Sequence, residues 1–365
     1  MSVHQICDMD RLKKWWVLSG AEGVGPVKLK DWIESVGSLE DAWDQAKRRD
    51  SSFSSKERQR LDSLALTSSE EGFWAISWED QACPRSWREL RDAPVVVFGS
   101  GNQRAMNDRP FAAVVGTRDC SQRAAGLGFE VGRFLAGQDW GVVSGLARGV
   151  DAMAHRGACY AEGLTVACLG SPLRPIYPRE HRELAGEIVR CGGAMISEHA
   201  HEAEVHRWYF AARNRLIVAM AEALVMIQSP ARGGALISAQ LALDSGVDCS
   251  VYRPDERKET GKRWADKRTI LDEFPDMGWS SMEELFARFG QTLRAATPNV
   301  LEQGLPIDLL PIWRWIIQKG VAQISDIAHG CKMEPEAIGR KLFIMELKGL
   351  VQRIPGGWYL PQGLG

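Results

Sequence analysis

Residues 141–170 read GVVSGLARGVDAMAHRGACYAEGLTVACLG, and the fold class turns on how that stretch divides. Gly141–Val143 and Leu164–Leu169 are short apolar runs, whereas Asp151–Glu162 has the length and texture of a helix. Small residues from Ser144 to Asp151 lead directly from the first run into that helix. The same alternation continues on either side. Further strand-like runs lie at Val95–Phe98, Phe111–Val115, Ala194–Ile196, Leu224–Ile227 and Asp248–Tyr252. Helix-length segments lie at Ser121–Ala136, Glu180–Arg190, Arg215–Glu222 and Leu236–Asp244. Strands that are apolar throughout and separated by helices require a parallel sheet covered on both faces. The pattern predicts an α/β domain over residues 89–290, a doubly wound, mostly parallel Rossmann-like sheet. Its ligand belongs outside the carboxyl ends of the strands, where helix N-termini point.

The flanks differ in texture. Residues 1–88 read as a helical domain of the helix-hairpin-helix or SAM-like kind. Trp15, Trp16 and Leu18 precede Gly23-Val24-Gly25, and Leu29, Ile33 and Val36 then recur at helical spacing. A glycine turn between helices can bring amides to a DNA phosphate or simply let the helices pack, and both readings stand. Arg48–Glu57 reads as an exposed loop or ragged helix end, and Arg253–Arg268 as a solvated charged loop. Residues 300–365 read as a winged helix, with helices at Leu309–Ile317, Ile324–His329 and Pro335–Lys348 and a hairpin over Leu350–Leu360.

At 365 residues the chain is long enough for two or three domains. Its formal charge of −2 supplies no global basic field, so any nucleic-acid site must be a local patch. The 8 cysteines contain no C-x-x-C pair, which speaks against a zinc ribbon. With no signal-peptide pattern and no long uncharged apolar run, the expectation is a cytoplasmic protein that does not span a membrane.

Four strand-to-helix junctions of the α/β region are glycine-rich or basic and should converge at one edge of the sheet: Val115–Ser121, Ser144–Asp151, Phe210–Arg215 and Arg232–Ser238. Gly116 lets the chain turn off its strand, Ser121 is placed to cap the next helix, and Arg118 offers a forked contact to phosphate. Arg213 and Arg215 flank Asn214, and the bare amides at Gly233–Gly234 suit an anion. Together they predict an anionic ligand. Neither G-x-G-x-x-G nor the P-loop pattern is present, so a dinucleotide or a hydrolysed nucleoside triphosphate is not indicated. Asp151 and His155 share a helix face; a cap that fixes one tautomer is favoured over an acid–base pair. His199, His201 and His206 read as a solvated loop, not a zinc clamp. Arg340, Lys341 and Lys348 could track a duplex, dock a protein or serve structure alone, and the sequence leaves these open.

Several stretches resemble one family. SGLARGVDAMAHRGA at 144–158 is similar to its S-G-x-A-x-G-I-D-x-x-A-H motif, and TVACLGSPLRPIYP at 165–178 resembles a second. FAARNR at 210–215 resembles F-P-x-R-N-R, and GGALISA at 233–239 resembles S-G-S-L-I-T-A. Pro84–Asn102 and the C-terminal module match in kind. The chain thus resembles DNA-processing protein A, also called Smf. The resemblance implies non-catalytic binding of single-stranded DNA, loading of the RecA recombinase in transformation or recombination, and a homodimer, with no cofactor or metal. Carried over by position, the DNA contacts fall to Gly116, Thr117, Arg118, Ser121, Ser144 and Gly145. They continue through Arg207, Phe210 as a stacking ring, Arg213, Asn214, Arg215, and the amides of Gly234 and Ala235. Departures include Arg123-Ala124, the acidic stretch His199–Glu204, Gln228 in place of Glu, Gly233 in place of Ser, and Val251–Asp255. Two rivals remain: a phosphoribohydrolase-like enzyme, whose P-G-G-x-G-T loop is missing, and a sensor of a nucleotide-derived ligand.

Overall fold

The computed structural model describes residues 9–21, 24–49, 53–68, 72–200, 203–230, 233–253, 274–288, 308–319, 322–348, 350–354 and 358–361. The described residues form two compact units, the first running to Cys249 and the second from Ser250.

In the first unit, four helices open the chain: α1 (Met9–Leu18), α2 (Pro26–Val36), α3 (Leu39–Arg49) and α4 (Phe53–Ser68). Strand β1 (Phe73–Ser77), the short α5 (Arg85–Arg88) and β2 (Val96–Gly101) follow. Then come β3 (Phe111–Val115), α6 (Gln122–Gly137), β4 (Gly141–Ser144), α7 (Val150–Tyr160) and β5 (Thr165–Leu169). The rest is α8 (Arg182–Arg190), β6 (Ala194–Ser197), α9 (Arg207–Ala212), α10 (Asn214–Met220), β7 (Ala223–Met226) and α11 (Gly234–Asp244). The strand order is β1-β2-β6-β5-β4-β3-β7. Neighbours from β6 to β7 are parallel, as Ala112↔Val142, Val143↔Val166, Cys168↔Ile196 and Val114↔Val225 show. Strand β2 is antiparallel to both of its neighbours.

Strands β3, β4, β5, β6 and β7 are buried at every residue, and their runs are apolar except for Ser144, Thr165 and Ser197 at strand ends. The expected Rossmann-like sheet with preceding helices is therefore present, and the expected strands match to within a few residues. Two elements differ from expectation. Phe73–Ser77, inside a region read as helical, is a strand paired with β2. Its five residues are too few to display a period, yet Phe, Trp and Ile suit a half-buried edge. Helix α9 is the second: Arg207–Ala212 is shorter than two turns and shows no period, and it makes Phe210–Arg215 a junction between two helices instead of one that follows a strand.

No division of the described residues falls near residue 88. Trp15, Trp16, Leu18 and Leu29 join Val96, Phe98, Leu169 and Met195 in one buried cluster. Trp16 meets Phe98 edge-on at 4.8 Å, and Trp87 Nε1 donates to the Leu216 carbonyl at 2.9 Å. Val24 packs on the same cluster, which favours helix packing for the glycine turn; Gly23 lies outside the described residues.

Strand β8 (Asp248–Tyr252) contains the boundary between units. In the second unit, β9 (Gly278–Trp279) pairs with it in parallel, Tyr252 opposite Trp279, and residues 282–288 are helical (α12). The unit ends in α13 (Leu310–Lys319), β10 (Ala322–Gln323), α14 (Ile324–Cys331), α15 (Pro335–Leu347), β11 (Val351–Ile354) and β12 (Trp358–Pro361). Three helices and an antiparallel sheet ordered β10-β12-β11 give the winged-helix arrangement. Ile312, Trp313, Ile327, Leu342 and Tyr359 are in its core.

Candidate nucleic-acid interface

Because β4, β3 and β7 are neighbours, the turns at their carboxyl ends reach the same side of the sheet. With the segment that joins α9 to α10 they enclose a cavity of about 410 Å³. Of the residues expected at a binding site, Gly116, Thr117 and Arg118 line it from the β3 turn. Arg207, Phe210, Arg213 and Asn214 line it from α9 and α10, and Gly234 and Ala235 from the first turn of α11. Gly145 lines a recess of about 40 Å³ together with Arg118, Phe210, Arg213 and Tyr177.

The turns are tied to one another before any ligand arrives. Asp151 is buried, and one carboxylate oxygen accepts the Gly145 N–H at 3.2 Å; Gly116 and Ala147 amides also point to it. Burial pushes its carboxyl upward, opposed first by the charge of Arg213 and then by those amides. Arg213 is only 5% exposed. It donates to the carbonyls of Gly145, at 2.9 Å, and of Cys168, and to Asn214 Oδ1. A side chain at Gly145 would sit 2.5 Å from that guanidinium, so the close approach requires glycine. Gly149 has φ +76, and a Cβ there would lie 2.3 Å from the Thr117 carbonyl, locking the β3 and β4 turns together. Asp151 through amides and Arg213 through carbonyls thus tie the β4 and β5 turns to the segment that joins α9 to α10.

Other expected residues are structural. Ser144 is fully buried and donates its hydroxyl to the Val114 carbonyl at 2.6 Å. Ser121 caps α6, accepting from the Ala124 N–H at 3.1 Å. Gln228 holds the β3 turn: its carbonyl accepts the Thr117 N–H at 2.6 Å and its side-chain oxygen the Ser121 N–H at 2.9 Å. Arg215 lies outside this cavity, its guanidinium forked onto both oxygens of Glu198 at 2.7 Å and paired with Asp92 at 2.9 Å.

Arg118 and Arg207 remain as exposed guanidiniums on the cavity wall. Arg118 lies 5.2 Å over the Phe210 ring, and Tyr177, which also lines that recess, is tilted to the same ring at 5.5 Å. Leading amides of a helix have no partner within it, so the α11 turn at Gly234 and Ala235 adds partial positive charge. The wall therefore combines two exposed cations, a helix N-terminus and an aromatic face.

Sequence reasoning missed the part played by Asp151. The residue does not orient His155: the His155 Nδ1 partner is Thr165 Oγ1, at 2.6 Å. That hydroxyl donates to the Val142 carbonyl, so it accepts from Nδ1–H, and Nε2 is buried without a partner. Burial holds His155 neutral, its pKa lowered to about 3. His201 lies outside the described residues. Among the described residues no cluster of His, Cys, Asp or Glu could hold a metal ion, and no helix is long and apolar enough to cross a membrane.

Fold and cavity define a Rossmann-like α/β protein with an arginine-bearing rim at the carboxyl ends of its strands. Residues 74–272 match the family of DNA recombination-mediator protein A, and the chain belongs to that family. Protein Smf of Escherichia coli is 28% identical over 355 residues, 93% of this chain and 92% of that one. DNA processing protein DprA of Bacillus subtilis is 25% identical over 248 residues, 67% of this chain and 79% of the other. In fold, the chain is similar to DNA processing protein A from Streptococcus pneumoniae, with TM-score 0.59 and 24% identity across 76% of this chain and 96% of that chain. It is also similar to the Helicobacter pylori protein, whose structure is described as showing a unique single-stranded DNA binding mode. There the TM-score is 0.50 and the identity 22%, over 57% of this chain and 90% of that one.

Proposed function

We propose that the chain binds single-stranded DNA without altering it covalently, with the strand's phosphates seated along the arginine-bearing cavity. The observation that carries this reading is the convergence of Arg118, Arg207, Phe210 and the α11 N-terminus on one open wall above a pre-tied floor. Arginine forks suit phosphate, an aromatic face suits any unpaired base, and a helix N-terminus suits negative charge. Asp151, the buried carboxylate of the cavity, is committed to Arg213 and backbone amides, which supports a holding role over an acid–base one. By its family likeness the protein serves DNA processing in transformation, acts as a homodimer in the cytoplasm and passes the strand to the RecA recombinase.

A competition titration tests it. Labelled oligothymidine should bind saturably, with unlabelled single strand displacing it far better than duplex of equal length or a mononucleotide. Displacement by the mononucleotide at equal or lower concentration than the strand would instead indicate a small-ligand sensor.

A further inference from the structure

Helix α9 divides two cavities. Arg207, Phe210 and Ala211 face the arginine-bearing one, while Trp208, Tyr209 and Ala212 line a second, of about 670 Å³, beneath the N-terminal helices. At 3.6 residues per turn these two sets fall on opposite faces of the helix, about 10 Å across. The second cavity differs in chemistry from the first. Its formal charges cancel, two arginines against two carboxylates: Arg215 is forked onto Glu198 and paired with Asp92. Its other cation, Arg60, lies 3.5 Å over the Trp16 ring and donates to the Trp16 carbonyl at 2.6 Å. What the cavity offers instead is π surface. His199 stacks on Tyr209 with ring centroids 3.7 Å apart, and Trp208 meets Tyr209 edge-on at 4.3 Å. Trp208 stands at the mouth, 64% exposed, with Gln59 as an exposed amide on the wall. Burial lowers the pKa of His199, so its imidazole is neutral at neutral pH and adds no charge.

A neutral, aromatic cavity one helix away from a cationic one matches the two halves of a nucleotide. We propose that the second cavity receives an unpaired base of the same strand whose phosphates lie in the first, with Trp208 stacking on it as the strand crosses α9. This rests on the strand-binding reading above. Stacking needs a flat π face, which every base has, so the subsite tolerates any sequence.

The test uses the full chain and an oligothymidine carrying one 2-aminopurine, whose fluorescence falls when it stacks. Wild type should quench it on binding. Trp208→Ala should lose most of the quench and weaken binding about fivefold or more, with the salt dependence unchanged. Trp208→Phe should restore both. If Trp208→Ala binds and quenches like wild type, the base subsite is wrong while the strand-binding reading survives. Failure of wild type to bind the strand at all would overturn both. Saturable binding of free adenosine that Trp208→Ala abolishes, with strand affinity untouched, would also overturn the proposal, since the cavity would then take a free base.

Discussion

Arg213 and Arg215 stand two positions apart and carry the same cation, yet the fold gives them different work. Arg213 is sealed among the Gly145 and Cys168 carbonyls opposite Asp151. Arg215 is clamped by Glu198 and Asp92 on the far side of α9. Burial works against the Arg215 charge, but the hydrogen bonds and charges of those two carboxylates outweigh it and raise its pKa. Removing one partner of a buried pair leaves the other uncompensated. Arg215→Ala should therefore cost roughly 2–3 kcal/mol in denaturant unfolding while leaving the salt dependence of strand binding unchanged. His155 supplies a pH test. Its folded pKa of about 3 lies below the ordinary value of 6.5, so the unfolded chain takes up a proton that the folded one refuses. Its contribution is whole above pH 6.5 and fades as pH falls toward 3, by up to about 1.4 kcal/mol per unit. Urea titrations across that window should show a shallower loss in His155→Gln than in wild type. None of this was legible in the sequence: ARNR at a helix junction has no period from which to tell a buried arginine from an exposed one.

At the scale of elements, the turns are held by small residues and internal acceptors. Gly145→Ala drives a methyl group to 2.5 Å from the Arg213 guanidinium and should lower stability by about 1–3 kcal/mol, read as a reduced Tm. Gln228 explains one departure from the family pattern: it serves the β3 turn through its side-chain oxygen as an acceptor, as a Glu oxygen can. The glycine-rich turns were readable because each follows an unmistakable buried strand. Helix α9 and β1 were not, because six and five residues carry too little periodicity, and pairing with β2 decides the latter. The winged helix was readable from three amphipathic segments, but its outward face was not. Phe343, Ile344 and Leu347 are exposed on α15, and Lys341 pairs with Asp308.

For the whole molecule, a chain of net charge −2 must concentrate any phosphate affinity locally, and the proposed site places it at one rim of the first unit. Among the described residues, those that line that rim all belong to the first unit. A chain ending before residue 300 should therefore keep its affinity for oligothymidine within about threefold, far less than the tenfold that 1.4 kcal/mol represents. The doubly wound class and the meeting of distant turns followed from strand burial alone. How the N-terminal helices sit was hidden, because the Trp16–Phe98 contact joins residues that no local pattern connects. Most direct is the slope of log affinity for oligothymidine against log salt, compared among wild type, Arg118→Ala, Arg207→Ala and Arg215→Ala. Each phosphate contact contributes about 0.7 to that slope. The rim assignment requires the first two variants to be shallower by about that amount each, and Arg215→Ala to match wild type. Equal slopes in all four, or a loss confined to Arg215→Ala, would contradict it.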